Sequence, residues 1–334
     1  MTTFKQIRGT TIEVLSSDPS APELGQIWYN SSSGSLKGYM NYSVNAWSAG
    51  GNLPAGRTYG GGTGISTAAL YVAGSLGPGF PGFTNTTLSY NGSAWTSAPN
   101  YPVSIVGNAV IGTQTAALGA GGYQQGGSYP NATNSYNGTS WSTVPGTLNI
   151  TGQNMSQFGT QTAAIIVGIQ ADEPKTQSYN GTSWTTLPAT TNVNHGAGGM
   201  AFGNQTAAIL GFGQNTPYPV QSESWNGSTW TTGPNVNTAR GQGGSSQNSP
   251  QTSGVVFGGA TNPSQATTGT TETWNGTSWT TAGTLGTPRY QIRGNAGASG
   301  ASALAFGGNL GPAYTGATES WVGTQLQTRT VTVS

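Results

Sequence analysis

The stretch SYNGTSW occupies residues 178–184 and recurs unchanged at 135–141. Near-copies stand at 89–95 (SYNGSAW), 224–230 (SWNGSTW) and 273–279 (TWNGTSW). Each sets Asn-Gly between an aromatic residue and a tryptophan. Asn-Gly is a strong hairpin signal, because glycine takes a positive φ without steric cost and asparagine tolerates it. Two registers are open. A two-residue type I′ turn at Asn180-Gly181 makes Tyr179 and Trp184 diagonal neighbours; a four-residue loop, Asn180 to Ser183, sets them directly opposite. Either way both rings share one face of a β-hairpin. Asn-Gly-Ser/Thr is also an N-glycosylation sequon, but a turn explains its fixed place in a repeat and glycosylation does not. The start, MTTFKQIRGTTIEV, also lacks the apolar core of a signal peptide.

Working outward, the repeat tryptophans are Trp47, Trp95, Trp141, Trp184, Trp230 and Trp279, spaced by 48, 46, 43, 46 and 49 residues. Between them runs a second motif: TAALYVAG (67–74), TAALGAGG (115–122), TAAIIVGI (162–169), TAAILGFG (206–213), SGVVFGGA (253–260) and SALAFGGN (302–309). Short apolar runs ending in glycine read as strands buried on both faces. A Gly-rich stretch before each, such as RTYGGGTG at 57–64 or HGAGGMAFG at 195–203, supplies another strand. Each unit therefore predicts four strands, and a period of about 40–50 residues with this patterning is that of β-propeller blades.

The double glycines after the second strand (Gly121-Gly122, Gly258-Gly259, Gly307-Gly308) and the spaced Tyr/Trp pair resemble the kelch-type β-propellers over residues 53–333. The expected fold is all-β: a six-bladed kelch-like propeller at 53–334, with a small β module at 1–52. The sixth blade is completed by ATESWVGTQLQTRTVTV (317–333), with Trp321 aligned to Trp225 and Trp274 and Leu326 at the second aromatic place. Seven blades is the alternative, should the hairpin around Trp47 join another blade. Arg57, Arg240 and Arg289 each follow a repeat tryptophan by ten residues, and Glu223, Glu272 and Glu319 each precede a third-strand aromatic by two. Six of 17 charges at two repeat positions point to structural ion pairs or caps between strands, for which arginine's bidentate fork is suited.

Only 5% of the 334 residues are charged, while 10% are aromatic and ten are tryptophan; that aromatic content, regularly spaced, excludes a disordered linker. A net charge of +1 without a basic run gives no footing for nucleic acid, and no apolar run approaches the roughly 20 residues that span a bilayer. With no cysteine and one histidine, His195, neither a metal site nor a cofactor is expected. Galactose oxidase-type copper chemistry, known among kelch-like propellers, needs a cysteine and is excluded.

Residues 1–52 lack the repeat. SSDPSAPELG is a turn-rich connector, and QIWYN, SLKGYM and NAWSA read as three short strands. DPSAPELGQIWYNSSSGSLKGY (18–39) resembles an N-terminal module of virion proteins of tailed bacteriophages, notably those of cyanobacteria. The resemblance implies a non-catalytic virion structural protein, either a tail-fibre or receptor-binding part or a capsid decoration. Such a protein is made in the host cytoplasm, attaches to other virion proteins through residues 1–52 and faces host-surface glycan or protein. The alternative is a carbohydrate-active propeller enzyme, similar to sialidases. SYNGTSW resembles their Asp-box turn but is one residue shorter and lacks the aspartate. That chemistry needs an arginine cluster, for which Arg57, Arg240, Arg289 and Arg293 are the candidates, and a carboxylate near a tyrosine nucleophile. The only adjacent acids are Asp172-Glu173.

The least repetitive segments, 75–87, 122–134, 169–177, 212–221, 260–271 and 309–318, all join a second strand to a third and so emerge on one face. They are rich in Tyr, Asn, Gln, Gly and Pro, a composition that stacks and hydrogen-bonds without charge. Tyr123, Tyr129, Tyr218 and Tyr314 are the candidate binding anchors.

Overall fold

The computed structural model describes residues 12–77, 82–168, 175–191, 198–213, 218, 220–262, 264–292, 294–311 and 313–331. His195, Arg293, Asp172 and Glu173 lie outside them. The chain forms two compact units: residues 45–322, and residues 1–44 with 323–334. The boundary expected at 52–53 thus falls earlier, and the C-terminal segment leaves the repeat unit.

The larger unit is a β-propeller array of antiparallel meanders. Its first sheet orders Gly61–Ile65, Ala68–Ser75, Phe83–Tyr90 and Trp95–Ala98 side by side. The same four-strand order holds for Ala109–Gly112 to Trp141–Val144, for Ser156–Gly159 to Trp184–Leu187, for Met200–Asn204 to Trp230–Asn235 and for Gly244–Ser245 to Trp279–Ala282. A further sheet orders Gly294–Ser299, Ser302–Phe306, Thr318–Thr330 and Ser35–Ala49. The outer strand of this last sheet comes from the start of the chain. Trp47 packs on Trp321 at 5.5 Å between ring centroids, much as Tyr179 packs on Trp184 at 5.1 Å. Leu326 does not take the second aromatic place; it belongs to the other unit. The strand of Trp47 completes the sheet of Trp321 rather than entering another.

The recurrent heptapeptide takes the longer of its two registers. Tyr179 is paired directly with Trp184, so Asn180 to Ser183 form a four-residue loop. The type I′ turn is not formed: among these four only Gly181 has positive φ, at 95°. Asparagine is there for its side chain, whose Oδ1 accepts from the Thr182 and Ser183 amides at 3.0 and 2.9 Å and from the Thr182 hydroxyl at 2.9 Å. Space around Gly181 is ordinary, with Thr162 O 3.5 Å from a built Cβ, so its glycine is a dihedral requirement alone. Gly181→Val should therefore cost about 1–3 kcal/mol, and Thr182→Val about 0.5–1.5 kcal/mol for one exposed hydrogen bond. Chemical denaturation of the two variants checks the order; equal losses would remove the φ argument.

Sheet packing is where the aromatic residues act. Trp184 is buried with Tyr179, Ile166, Ile111 and Leu118, a cluster drawn from two adjacent sheets. The outer-strand indole also donates across the gap to a threonine of the preceding sheet: Trp184 to Thr133 at 2.8 Å, Trp230 to Thr176 at 3.1 Å, Trp95 to Thr318 at 2.9 Å, and Trp47 to Thr271 at 2.8 Å. A second tie comes from a glutamine ahead of the second strand. Gln114, Gln161, Gln205 and Gln251 each donate to the carbonyl of the third-strand aromatic of the preceding sheet: Tyr90, Tyr136, Tyr179 and Trp225. The double glycine supplies a third. Gly258 and Gly259 both have positive φ, 63° and 111°, and the Gly259 amide donates to Arg289 O at 2.8 Å. A Cβ at Gly258 would lie 2.4 Å from Ile292.

The inner strands follow one another in a closed cycle, Gly61–Ile65, Ala109–Gly112, Ser156–Gly159, Met200–Asn204, Gly244–Ser245, Gly294–Ser299 and back to the first. At the other end from the loops, residues 246–249 fill the centre. Gln247 Nε2 donates to Val110 O at 2.9 Å, and Asn248 Nδ2 to Gly112 O at 2.7 Å and Gly64 O at 3.1 Å. A short fifth inner strand frees these residues to cross the axis.

In the smaller unit Glu13–Leu15 runs parallel to Ile27–Asn30, which pairs antiparallel with the start of Ser35–Ala49. SLKGYM and NAWSA are thus one strand, broken in conformation by Asn45 at φ 47°. Asp18 accepts from Trp28 Nε1 at 2.9 Å and Asn30 Nδ2 at 2.8 Å. Those two bonds, Asn30 first, hold its carboxyl below the ordinary range. They tie Asp18, Trp28 and Asn30 of this segment together.

Candidate functional site

The three repeat arginines lie inside the propeller, not on a face. Arg57, Arg240 and Arg289 are 4%, 0% and 0% exposed. Arg240 pairs with Glu272 and Arg289 with Glu319. Burial lowers the pKa of both guanidinium groups, and the facing carboxylate opposes that shift. The carboxylates also receive the segment that leads into each sheet: Glu272 accepts from the Asn237 amide at 2.7 Å, Glu319 from the Gly286 amide at 2.6 Å, and Glu223 from the Thr191 amide at 2.8 Å. In the third sheet Gln177 stands at the same place and accepts from Asn149 and Ile150. In the first sheet the place is Leu88, and Arg57 donates to Thr86 Oγ1 at 3.0 Å. Arg240 and Arg289 thus sit in buried pairs and Glu223, Glu272 and Glu319 cap incoming amides, whereas Arg57 bonds a hydroxyl.

Two residues past each arginine, the chain turns left-handed. Tyr59, Gly107, Asn154, Gly198, Gln242 and Gln291 share φ between 54° and 84°. A chain of hydrogen bonds links this position around the axis. Gly107 N donates to Tyr59 O at 2.6 Å, Asn154 N to Gly107 O at 2.8 Å, Gly198 N to Asn154 O at 2.7 Å and Gln242 N to Gly198 O at 3.0 Å. Ile292 N donates to Gln242 O at 3.2 Å, and Thr58 Oγ1 closes the circuit on Gln291 O at 3.0 Å. Four of the six positions carry side chains in a conformation that costs a non-glycine residue about 1–3 kcal/mol, a kind of strain concentrated at binding sites. Gln291 Nε2 donates to the Tyr59 hydroxyl, so this mouth is lined by amides and phenol rather than charge.

The variable loops open at the same end, since Thr58 pairs with Ser75, Gly241 with Ala260, and Tyr290 with Asn309, where second strands finish. The four candidate tyrosines fall into two groups there. Tyr123 and Tyr129 are 5.1 Å apart between centroids, and Phe83 of the neighbouring loop stands 6.1 Å from Tyr123. With Gln125, Gly126 and Gln153 they line a cleft of about 310 Å3. Tyr218 donates to Asn262 O at 3.2 Å. It and Tyr314 lie close to Tyr290, whose pKa is raised by burial first and then by those two phenols. Tyr218 thus joins two loops.

Sequence reasoning missed the axial residues and the partners Phe83, Gln125 and Gln153. The sequence signal for the first is RTY, RGQ and RYQ at 57–59, 240–242 and 289–291. Among the described residues no three His, Cys, Asp or Glu side chains gather as a metal site would require. Among the described residues no helix is long and apolar enough to cross a membrane.

No protein-family model and no curated protein matches the chain. Among solved structures 308 chains match. One, titled "Structure of YjhT", is 14% identical with a TM-score of 0.67, covering 84% of this chain and all of that one. At that identity the likeness shows the fold, a β-propeller, and nothing of chemistry.

Proposed function

We propose that the protein is a non-catalytic virion component of a tailed bacteriophage, a six-bladed propeller that recognises a surface through its loop-bearing face. The observation that carries the non-catalytic part is the placement of charge. Arg240–Glu272 and Arg289–Glu319 are spent inside sheets, while among the described residues the loop face presents tyrosine, asparagine and glutamine with Lys175; Asp172 and Glu173 of the 169–177 loop lie outside them. Six blades are supported by the closed cycle of inner strands and by Trp47 completing the last sheet. The virion part rests on residues 18–39, whose Asp18, Trp28 and Asn30 form one hydrogen-bonded unit. Attachment to other virion proteins falls to the unit of residues 1–44 and 323–334; a tail-fibre, receptor-binding or capsid-decorating position is compatible with that division.

The second reading is a carbohydrate-active enzyme. It needs an arginine cluster, for which Arg293 is the one candidate outside the described residues, and a carboxylate beside a tyrosine nucleophile, for which Asp172 and Glu173 are the adjacent acids. Incubation with a fluorogenic sialoside and with fluorogenic neutral glycosides should release no fluorophore; steady turnover would overturn the non-catalytic reading. Purified protein should bind host cells or their isolated lipopolysaccharide, and antibodies to the propeller should decorate intact particles. Particles free of the protein would overturn the virion assignment.

A further inference from the structure

The cleft between the loops of the first two sheets is a built one. Tyr123-Gln124 pairs with Ile105-Val106 as a small two-stranded sheet of its own. The turn that follows is closed by Gln124 N to Ser128 O at 2.9 Å and by the Ser128 hydroxyl to Gln124 Oε1 at 3.0 Å. Gly126 and Gly127 turn it at φ 114° and 95°, conformations open mainly to glycine. The result sets Tyr123 and Tyr129 at 51° to each other, with Phe83 edge-on at 68° to Tyr123. Tyr129 is 39% exposed and Tyr123 half-buried, so one ring is anchored and the other presented. Gln153, which also lines the cleft, immediately precedes the axial residue Asn154.

We infer that this cleft binds an uncharged sugar ring, the terminal residue of a neutral glycan. The inference rests on the loop-face reading above and names its ligand. Tilted aromatic walls offer an apolar surface to the C–H face of a pyranose, while the phenol and amide groups of Tyr123, Tyr129, Gln125 and Gln153 meet its hydroxyls. None of the six lining residues is charged. A sialic acid or phosphate seated here would lose hydration with no cation among the lining groups to replace it. A volume of about 310 Å3 is at the small end of ligand pockets, roughly 300–1,000 Å3, which suits one or two sugar residues rather than a long chain. The turn is held by its own hydrogen bonds, so little ordering accompanies binding.

The test is retention of the full-length protein on a panel of immobilised neutral and sialylated oligosaccharides, alongside binding to host cells. Neutral glycans should be retained in preference. Tyr129→Ala should weaken that retention at least tenfold with an unchanged melting temperature, and Tyr129→Phe, which keeps the ring, should weaken it far less. Preference for sialylated glycans would overturn the inference, as would neutral retention untouched by Tyr129→Ala. Should the protein hold host cells but no oligosaccharide, the sugar assignment fails and surface recognition stands. Should it retain neutral sugars but no host cells, the assignment stands and host recognition fails.

Discussion

Glu272→Ala should destabilise the propeller by about 3–5 kcal/mol, the range for removing one member of a buried ion pair. Arg240 has no exposed surface and would be left as an uncompensated cation. It keeps bonds to Gly258 O and Thr238 O at 3.0 Å each, and its guanidinium lies 4.4 Å from the centre of the Phe212 ring, but none of these neutralises it. The substitution also strips the Asn237 and Thr238 amides of their acceptor. For that second reason the double variant Arg240→Met with Glu272→Leu should recover only part of the loss, although apolar replacement of a buried pair is often close to neutral. Chemical denaturation of the two variants separates the contributions. A loss below about 1 kcal/mol for Glu272→Ala would mean that water reaches the pair. The first sheet shows how the fold manages without the acid: Leu88 takes its place and Arg57 turns to Thr86.

That comparison explains how far the sequence could be read. Repeat spacing locates the outer tryptophans from Trp95 to Trp279 and puts Trp47 in the same phase, and the coincidence of arginine and glutamate with the repeat phase points to ion pairs or caps between strands, of which Arg240–Glu272 and Arg289–Glu319 are the pairs. These are properties set by period, and a period survives local variation. What period does not reveal is which register a turn adopts. Asn180 was read for its tolerance of positive φ, whereas the structure uses its side-chain oxygen as an acceptor, and the two roles have the same sequence signature. Leu326 was misplaced for a different reason. Closure of a circular array joins residues far apart in the chain, so the aromatic that faces Trp321 lies near the N-terminus. No local window contains both.

The recognition surface was legible only by subtraction. Loops that do not repeat were identified as such, and Tyr123 with Tyr129 do form one cleft. Phe83 and Gln153 come to it from a neighbouring loop and from the segment leading into the third sheet, a juxtaposition that only the packing of successive sheets creates. Tyr218 carries a structural bond to Asn262, so composition overstated its freedom. The axial residues Tyr59, Asn154, Gln242 and Gln291 differ in type and share only a backbone angle. A conformational repeat of this kind leaves little trace in residue identity.

Closure also decides how the two units can be separated. Residues 53–334 were the expected propeller, yet a chain beginning at residue 53 loses the outer strand of the last sheet. Trp47 would go with it, together with its contact at 4.8 Å to Phe257, its packing on Trp321 and its bond to Thr271. Losing a fully buried aromatic ring costs about 3–5 kcal/mol; Trp47 is half-buried, so its own share falls below that range. The strand ladder and the Gly50 N to Thr318 O bond at 2.8 Å go as well. Against a total stability of roughly 5–15 kcal/mol for a domain, residues 53–322 should melt at least 10 °C lower than residues 45–322 or fail to melt cooperatively, whereas residues 45–322 should fold. Trp47→Ala in the full chain should reproduce part of the loss without altering chain length. Thermal melts of the three proteins decide the matter: equal melting temperatures for 53–322 and 45–322 would show that the propeller closes without Trp47. Only a chain cut at residue 45 is then a fair probe of attachment, because failure of the shorter one to bind a particle would report unfolding.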